Sequence, residues 1–191
     1  MAAKTLSRKE PTQNIYITID LCQSSKPYEK RLFTALEDYG LEQGKPTPIA
    51  VCVAGGWIRR HEKALEEIKE MYLDITWVNH SFTHPIDKDF LNNPEVDLRY
   101  EVLENEKLMK THDLKPSKYF RFPGLRHNKQ RLAELKSLGY INLDADAWLG
   151  KGEKIQDGSI VLIHGNGNEV AGVVEKFIKS LDNAKYAIEA L

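Results

Sequence analysis

The sequence predicts an α/β fold, an open sheet or a barrel in which parallel strands alternate with crossover helices. Three observations carry this reading. From Ile15 onward, short β-rich apolar runs alternate with amphipathic segments. Polar residues able to do chemistry fall at the carboxyl ends of those runs. The 191 residues also contain no repeat, low-complexity tract or linker, so one domain over 15–191, preceded by an extension at 1–14, accounts for the chain.

The elements follow in order. IYITID (Ile15–Asp20) is the first strand. Tyr28–Tyr39 places Leu32, Ala35, Leu36 and Tyr39 on one helical face, with Gly40 as its stop. PIAVCVAG (Pro48–Gly55) reads as a buried strand, and Ile58–Tyr72 as a helix with Leu65, Ile68 and Tyr72 inward. DITWVN (Asp74–Asn79) is the third strand, and Pro94 opens a helix to Met109. KYFRFPG (Lys118–Gly124) is strand-like, Lys129–Leu138 is a helix ended by Gly139, and YINLDA (Tyr140–Ala145) is a strand. IVLIH (Ile160–His164), a glycine-rich rim GNGN (Gly165–Asn168) expected to be mobile, and a helix from Glu169 complete the pattern.

Lys+Arg 27 against Asp+Glu 28 leaves a net charge of −1, which argues against a nucleic acid or an anionic membrane surface as partner. No apolar run reaches the length of a membrane span. The opening MAAKTLSRKEPTQN lacks the apolar stretch of a secretory leader. The location is therefore periplasmic or extracellular if a leader has been removed, and cytoplasmic otherwise. The two cysteines, Cys22 and Cys52, make no disulfide framework, although one bridge between them is open.

The chemistry-bearing residues are Asp20 at the end of the first strand, His80 and His84 after the third, Arg121, Asp144 and Asp146 at later strand ends, and His164 at the last. In parallel α/β folds that edge gathers the active site, because every strand points the same way. HxxxH in NHSFTHP can chelate a metal from either a helix or a turn, and the alternative is a pair of loop histidines. Two imidazoles fall short of a complete site.

TID (Thr18–Asp20), NHSFTH (Asn79–His84), RFPG (Arg121–Gly124), DADAW (Asp144–Trp148) and LIH (Leu162–His164) resemble the five ordered motifs of the NodB-homology polysaccharide deacetylases, carbohydrate esterase family 4. The resemblance implies a distorted (β/α) barrel of about seven parallel strands holding one divalent metal, zinc before cobalt or nickel. The implied reaction is hydrolysis of acetyl groups from the N-acetylated sugars of a polysaccharide or oligosaccharide. It assigns Asp20 as general base, Arg121 as its holder, His164 as general acid, and His80 and His84 as metal ligands. Trp148, Leu162 and Pro123 become the substrate pocket, although core packing explains Trp148 and Leu162 nearly as well.

Two positions depart from the family pattern. Leu21 stands where the family has a metal-binding Asp, and Ala147 where an Asp tunes the acid histidine; Asp144 or Asp146 is the expected substitute. For the missing ligand, two histidines completed by waters is the preferred reading; the alternatives are Asp20 moving from base to ligand, or a nearby donor among Cys22, Gln23, Asn79 and Asp87, with Cys22 read first as a structural cysteine. Two further functions stay open: hydrolysis of another amide, such as a small cyclic one, and sugar binding by a relative with a decayed metal site.

Overall fold

Alternation along the strands builds the frame. A computed structural model describes residues 5, 6, 9, 13–85, 93, 95–181 and 185–191. Its strands are β1 (Thr5–Leu6), β2 (Asn14–Leu21), β3 (Thr47–Val53), β4 (Leu73–Asn79), β5 (Pro116–Phe120), β6 (Ile141–Leu143), β7 (Ala147–Trp148), β8 (Ile160–His164) and β9 (Ala187–Ile188). The helices are α1 (Lys30–Gln43), α2 (Gly55–Ile58), α3 (Glu62–Lys69), α4 (Leu98–Thr111), α5 (Lys129–Ser137) and α6 (Val173–Leu181).

The strands pair in the order β1-β6-β5-β4-β3-β2-β8-β7, with β9 beside β2, and the pairings are parallel. The result is a half-barrel of eight strands in series, against the about seven expected. The residues before Asn14 supply one of them, since Thr5 and Leu6 pair with Asn142 and Leu143. β1, β7 and β9 have two residues each, too few to show a period in sequence. No helix among the described residues is long and apolar enough to cross a membrane.

Successive strand residues face opposite sides, and the core divides accordingly. Ile15, Ile17, Ile19 and Leu21 join Val51, Val53, Val161 and Ile163 and the helical residues Leu32, Leu36, Leu65 and Phe177 in the larger cluster. Tyr16 joins Ala50, Cys52, Val78, Leu143 and Ile160 in a smaller one on the concave side. Thr18 and Asp20 have the parity of Tyr16, so the polar end of β2 faces inward while Leu21 packs among the helices. This alternation decides which residues reach the site.

Two helical expectations change, and a third cannot be compared at its start. α1 runs through Gly40, where a Cβ would lie 2.7 Å from Thr47 Oγ1; this glycine permits close packing, and Gly44, with φ 71°, ends the helix. The segment Ile58–Tyr72 is broken at Arg59–His61 into α2 and α3, because His61 leaves helical geometry, stacks on Trp57 and reaches the Ser24 carbonyl at 2.8 Å. Tyr72 lies beyond α3 and is 41% exposed, whereas Met71 packs on the core. The start expected at Pro94 lies outside the described residues; Asp97 caps α4 by accepting from Tyr100 N.

Candidate active site

Five parallel strands bring residues at or just past their carboxyl ends to one edge. Asp20 on β2 is in register with His164 on β8 and with Cys52 on β3; His80 follows β4, and Arg121 follows β5. Arg121 is fully buried, and its Nη1 donates at 2.7 Å to both Thr18 Oγ1 and Asp20 Oδ1. Its remaining donors reach the carbonyls of Leu143 and Asp144, each at 3.2 Å. Thr18 in turn donates to Val161 O. Burial opposes a charge on Asp20, but the Arg121 guanidinium, by its charge and its hydrogen bond, leads the groups that outweigh it and hold the carboxyl at about 2. Asp20 is therefore an oriented carboxylate.

The His80–His84 segment is a turn. Ser81 and His84 take positive φ values of 69° and 53°, uncommon for side-chain-bearing residues and folding the imidazoles toward each other. Buried Glu101 fixes the turn, accepting from Thr83 N at 2.8 Å and from Thr83 Oγ1 at 2.5 Å. Asn79 braces it from below, bonded to Val102 O, Ser81 N and Asn105, so its carboxamide is engaged by the scaffold rather than offered to a metal.

His80 Nδ1 donates to Arg121 O at 2.9 Å, which leaves a lone pair on Nε2. That Nε2 lies 3.2 Å from His84 Nε2, 3.5 Å from Cys22 Sγ and 3.8 Å from Asp20 Oδ2. Burial first, and for His84 the neighbouring His80 next, keep both imidazoles neutral; His84 is pushed down to about 3. Neutral nitrogens converging on one point suit a cation. Two imidazole ligands of a tetrahedral zinc, each about 2.05 Å from the ion, stand about 3.3 Å apart. The pair fits that spacing.

His164 faces this group from β8. Glu169 Oε2 accepts from His164 N at 2.8 Å and lies 3.3 Å from its Nδ1. Burial lowers the basicity of His164, but Glu169 and Asp20 prevail and raise it above the usual histidine value. Asp144 and Asp146, expected in this tuning position, act elsewhere. Asp144 pairs with His127 at 3.0 Å, and Asp146 accepts from Ile160 N and Ser159 Oγ, because the chain between β6 and β8 turns them toward those groups. Trp148 stands edge-on to His164, with ring centroids 5.6 Å apart, and Lys151 sits over its indole. Leu162 and Pro123 are buried.

The sequence matches the family model described as polysaccharide deacetylase over residues 7–143. The chain belongs to the polysaccharide deacetylase family. Its fold is similar to that of a family 4 carbohydrate esterase from Bacillus anthracis, with TM-score 0.78 and 24% identity over 98% of this chain and 85% of that one. It is also similar to PdaA, a family 4 carbohydrate esterase of Bacillus subtilis, with TM-score 0.75 and 18% identity over 98% and 83%. A third similar structure is a Bacillus anthracis protein described as a pseudoenzyme of that family, with TM-score 0.74 and 13% identity over 100% and 68%. At these identities the likeness shows the fold.

This family member opens its strand edge into a cleft of about 700 Å³, lined in part by Cys22, Lys26, Arg60, His84, His164 and Asn166. Among the described residues, Trp148, Leu162 and Pro123 are not part of that lining. The GNGN loop, expected to be mobile, is tied down instead: Gly165 N bonds Asp20 O, Asn166 Nδ2 bonds Cys22 O, and Asn168 Nδ2 bonds Ser24 Oγ. Sequence reasoning missed Glu169, read only as a helix start, and Arg60, read as part of a solvated face. Both cysteines are free, and Cys22 lines the cleft while Cys52 belongs to the concave core. Asp87 lies outside the described residues. Gln23 packs over Gly56, where a Cβ would meet its Oε1 at 2.9 Å.

Proposed function

We propose that this chain is a metal-dependent amide hydrolase that removes acetyl groups from the N-acetylated sugars of a polysaccharide. The observation that carries the reading is the convergence, at one strand edge, of a carboxylate fixed by a buried arginine, two neutral imidazoles with facing nitrogens and a separate histidine of raised basicity. A sugar-binding protein needs neither a base with its own holder nor an acid. Membership of the polysaccharide deacetylase family supports acetyl removal from a carbohydrate, and the near-neutral balance of charge suits an uncharged substrate.

His80 and His84 would hold a divalent metal, with zinc first by ligand type. Such an ion, when bound, acts as a Lewis acid on a carbonyl and lowers the pKa of water. The chain's own residues supply the proton transfers. Asp20, aimed by Arg121, accepts the proton of the water that adds to the acetyl carbon. His164 enters protonated and gives its proton to the sugar nitrogen as the C–N bond breaks, leaving acetate and a free amine. Glu169 keeps His164 basic enough to arrive charged.

The test is acetate release from chitooligosaccharides and from peptidoglycan, with and without added zinc, cobalt or nickel, joined to metal analysis. The wild-type chain should release acetate and bind one metal. His80→Ala should lose the metal, while His164→Ala should keep it and lose turnover by about 10²–10⁴-fold. No acetate under any condition would overturn this reading.

A further inference from the structure

Leu21 occupies the position where the family resemblance places a metal-binding aspartate, and its hydrocarbon side chain carries no donor atom. Its side chain is fully buried on the helical side, where a Cβ on Gly165 would lie 3.2 Å from Leu21 Cδ2. The next position of the same parity as Thr18 and Asp20 is Cys22. Its Sγ lies 3.5 Å from His80 Nε2, and one ligand atom from each of Cys22, His80 and His84 falls within 4.8 Å of the others. Cys22 also belongs to a second such group with Asp20 and His164. The thiol is therefore the vertex shared by the imidazole pair and the acid–base pair.

We propose that Cys22 supplies the third protein ligand of a His80–His84–Cys22 metal centre, a thiolate in place of the aspartate that Leu21 displaces. This rests on the metal reading above. In a tetrahedral site with zinc–nitrogen near 2.05 Å and zinc–sulfur near 2.3 Å, sulfur and nitrogen stand about 3.6 Å apart and the nitrogens about 3.3 Å apart. The observed spacings are 3.5 Å and 3.2 Å. Metal binding releases the thiol proton, so a thiolate gives the centre the same formal charge that a carboxylate would. Asp20 stays on Arg121, free of ligand duty. A sulfur ligand also tilts selectivity toward zinc and cobalt and away from magnesium and manganese, which prefer oxygen donors.

Cobalt(II) titration of the full chain tests this directly, because a thiolate on cobalt gives a near-ultraviolet charge-transfer band that histidines and carboxylates do not. The wild type should show the band at one equivalent, together with the visible bands of a tetrahedral ion. Cys22→Ala and Cys22→Ser should lose the charge-transfer band and weaken cobalt binding at least tenfold; Cys52→Ala should keep both. Zinc should protect Cys22 from iodoacetamide in the wild type and fail to do so in His80→Ala. Circular dichroism of each variant separates loss of a ligand from loss of fold. If cobalt binds one to one without the band, and as tightly in Cys22→Ala, the thiolate assignment is overturned while the histidine site stands. If no metal binds the wild type, both fall.

Discussion

Arg121 Nη1 donates to Asp20 Oδ1 at 2.7 Å, and both side chains lie almost wholly out of solvent. A buried pair of this kind stabilises only while both partners are charged, and removing one strands the other. Asp20→Asn should therefore destabilise the fold by about 3–5 kcal/mol at neutral pH. The loss depends on pH. In the folded chain Asp20 is held at about 2 against an ordinary 3.8, so the unfolded chain binds more protons between those values. The carboxylate's contribution, about 2 kcal/mol, is complete above pH ~4 and fades as pH falls toward 2. Urea unfolding of wild type and Asp20→Asn in EDTA should show the gap between them narrowing across that window. A gap that stays constant would mean that Asp20 titrates alike in both states.

Glu169 makes a second pH prediction, this time for turnover. Its carboxylate stands 3.3 Å from His164 Nδ1 and helps raise the histidine's basicity. A general acid works in its protonated form, so activity falls as pH rises through the pKa of His164. Glu169→Gln removes the charge while keeping an oxygen for His164 N. The alkaline limb of the kcat/KM profile should move to lower pH, with activity changed least at the acid end. A role confined to loop structure would depress the whole profile without moving the limb.

How far the sequence reached is clearest at neighbouring positions of the same strand ends. Asp20, His80, His84, Arg121 and His164 were legible because each closes or follows a strand run, and parallel strands bring such ends together. The placement of Cys22 beside His80 was less legible, because a thiol beside an apolar strand reads as core. A signal for that placement, its shared parity with Thr18 and Asp20, was nonetheless present in the sequence. Glu169 was out of reach: it follows His164 by five residues, and only the path of the intervening loop turns it back onto that residue. Gly40 and Gly44 differ in the same way. Both are plausible helix stops, and only the approach of Thr47 shows that the first is a packing contact.

The tied-down GNGN loop gives the last prediction. Gly167 has φ 76°, and a Cβ there would lie 2.3 Å from the Pro27 carbonyl oxygen; Gly152 has φ 77°, and among the described residues a Cβ there would meet nothing within 4 Å. Alanine at either position incurs left-handed backbone strain of about 1–2 kcal/mol. At Gly167 it must also push the loop away from Pro27. That movement drags Asn166, whose Nδ2 holds the Cys22 carbonyl at 3.1 Å, and Gly165, whose N–H bonds the Asp20 carbonyl. Gly167→Ala should therefore be the less stable of the two in urea and should also lower kcat/KM several-fold. Gly152→Ala should lose stability alone. Equal behaviour of the two variants would show that the loop yields without disturbing the strand end beneath it.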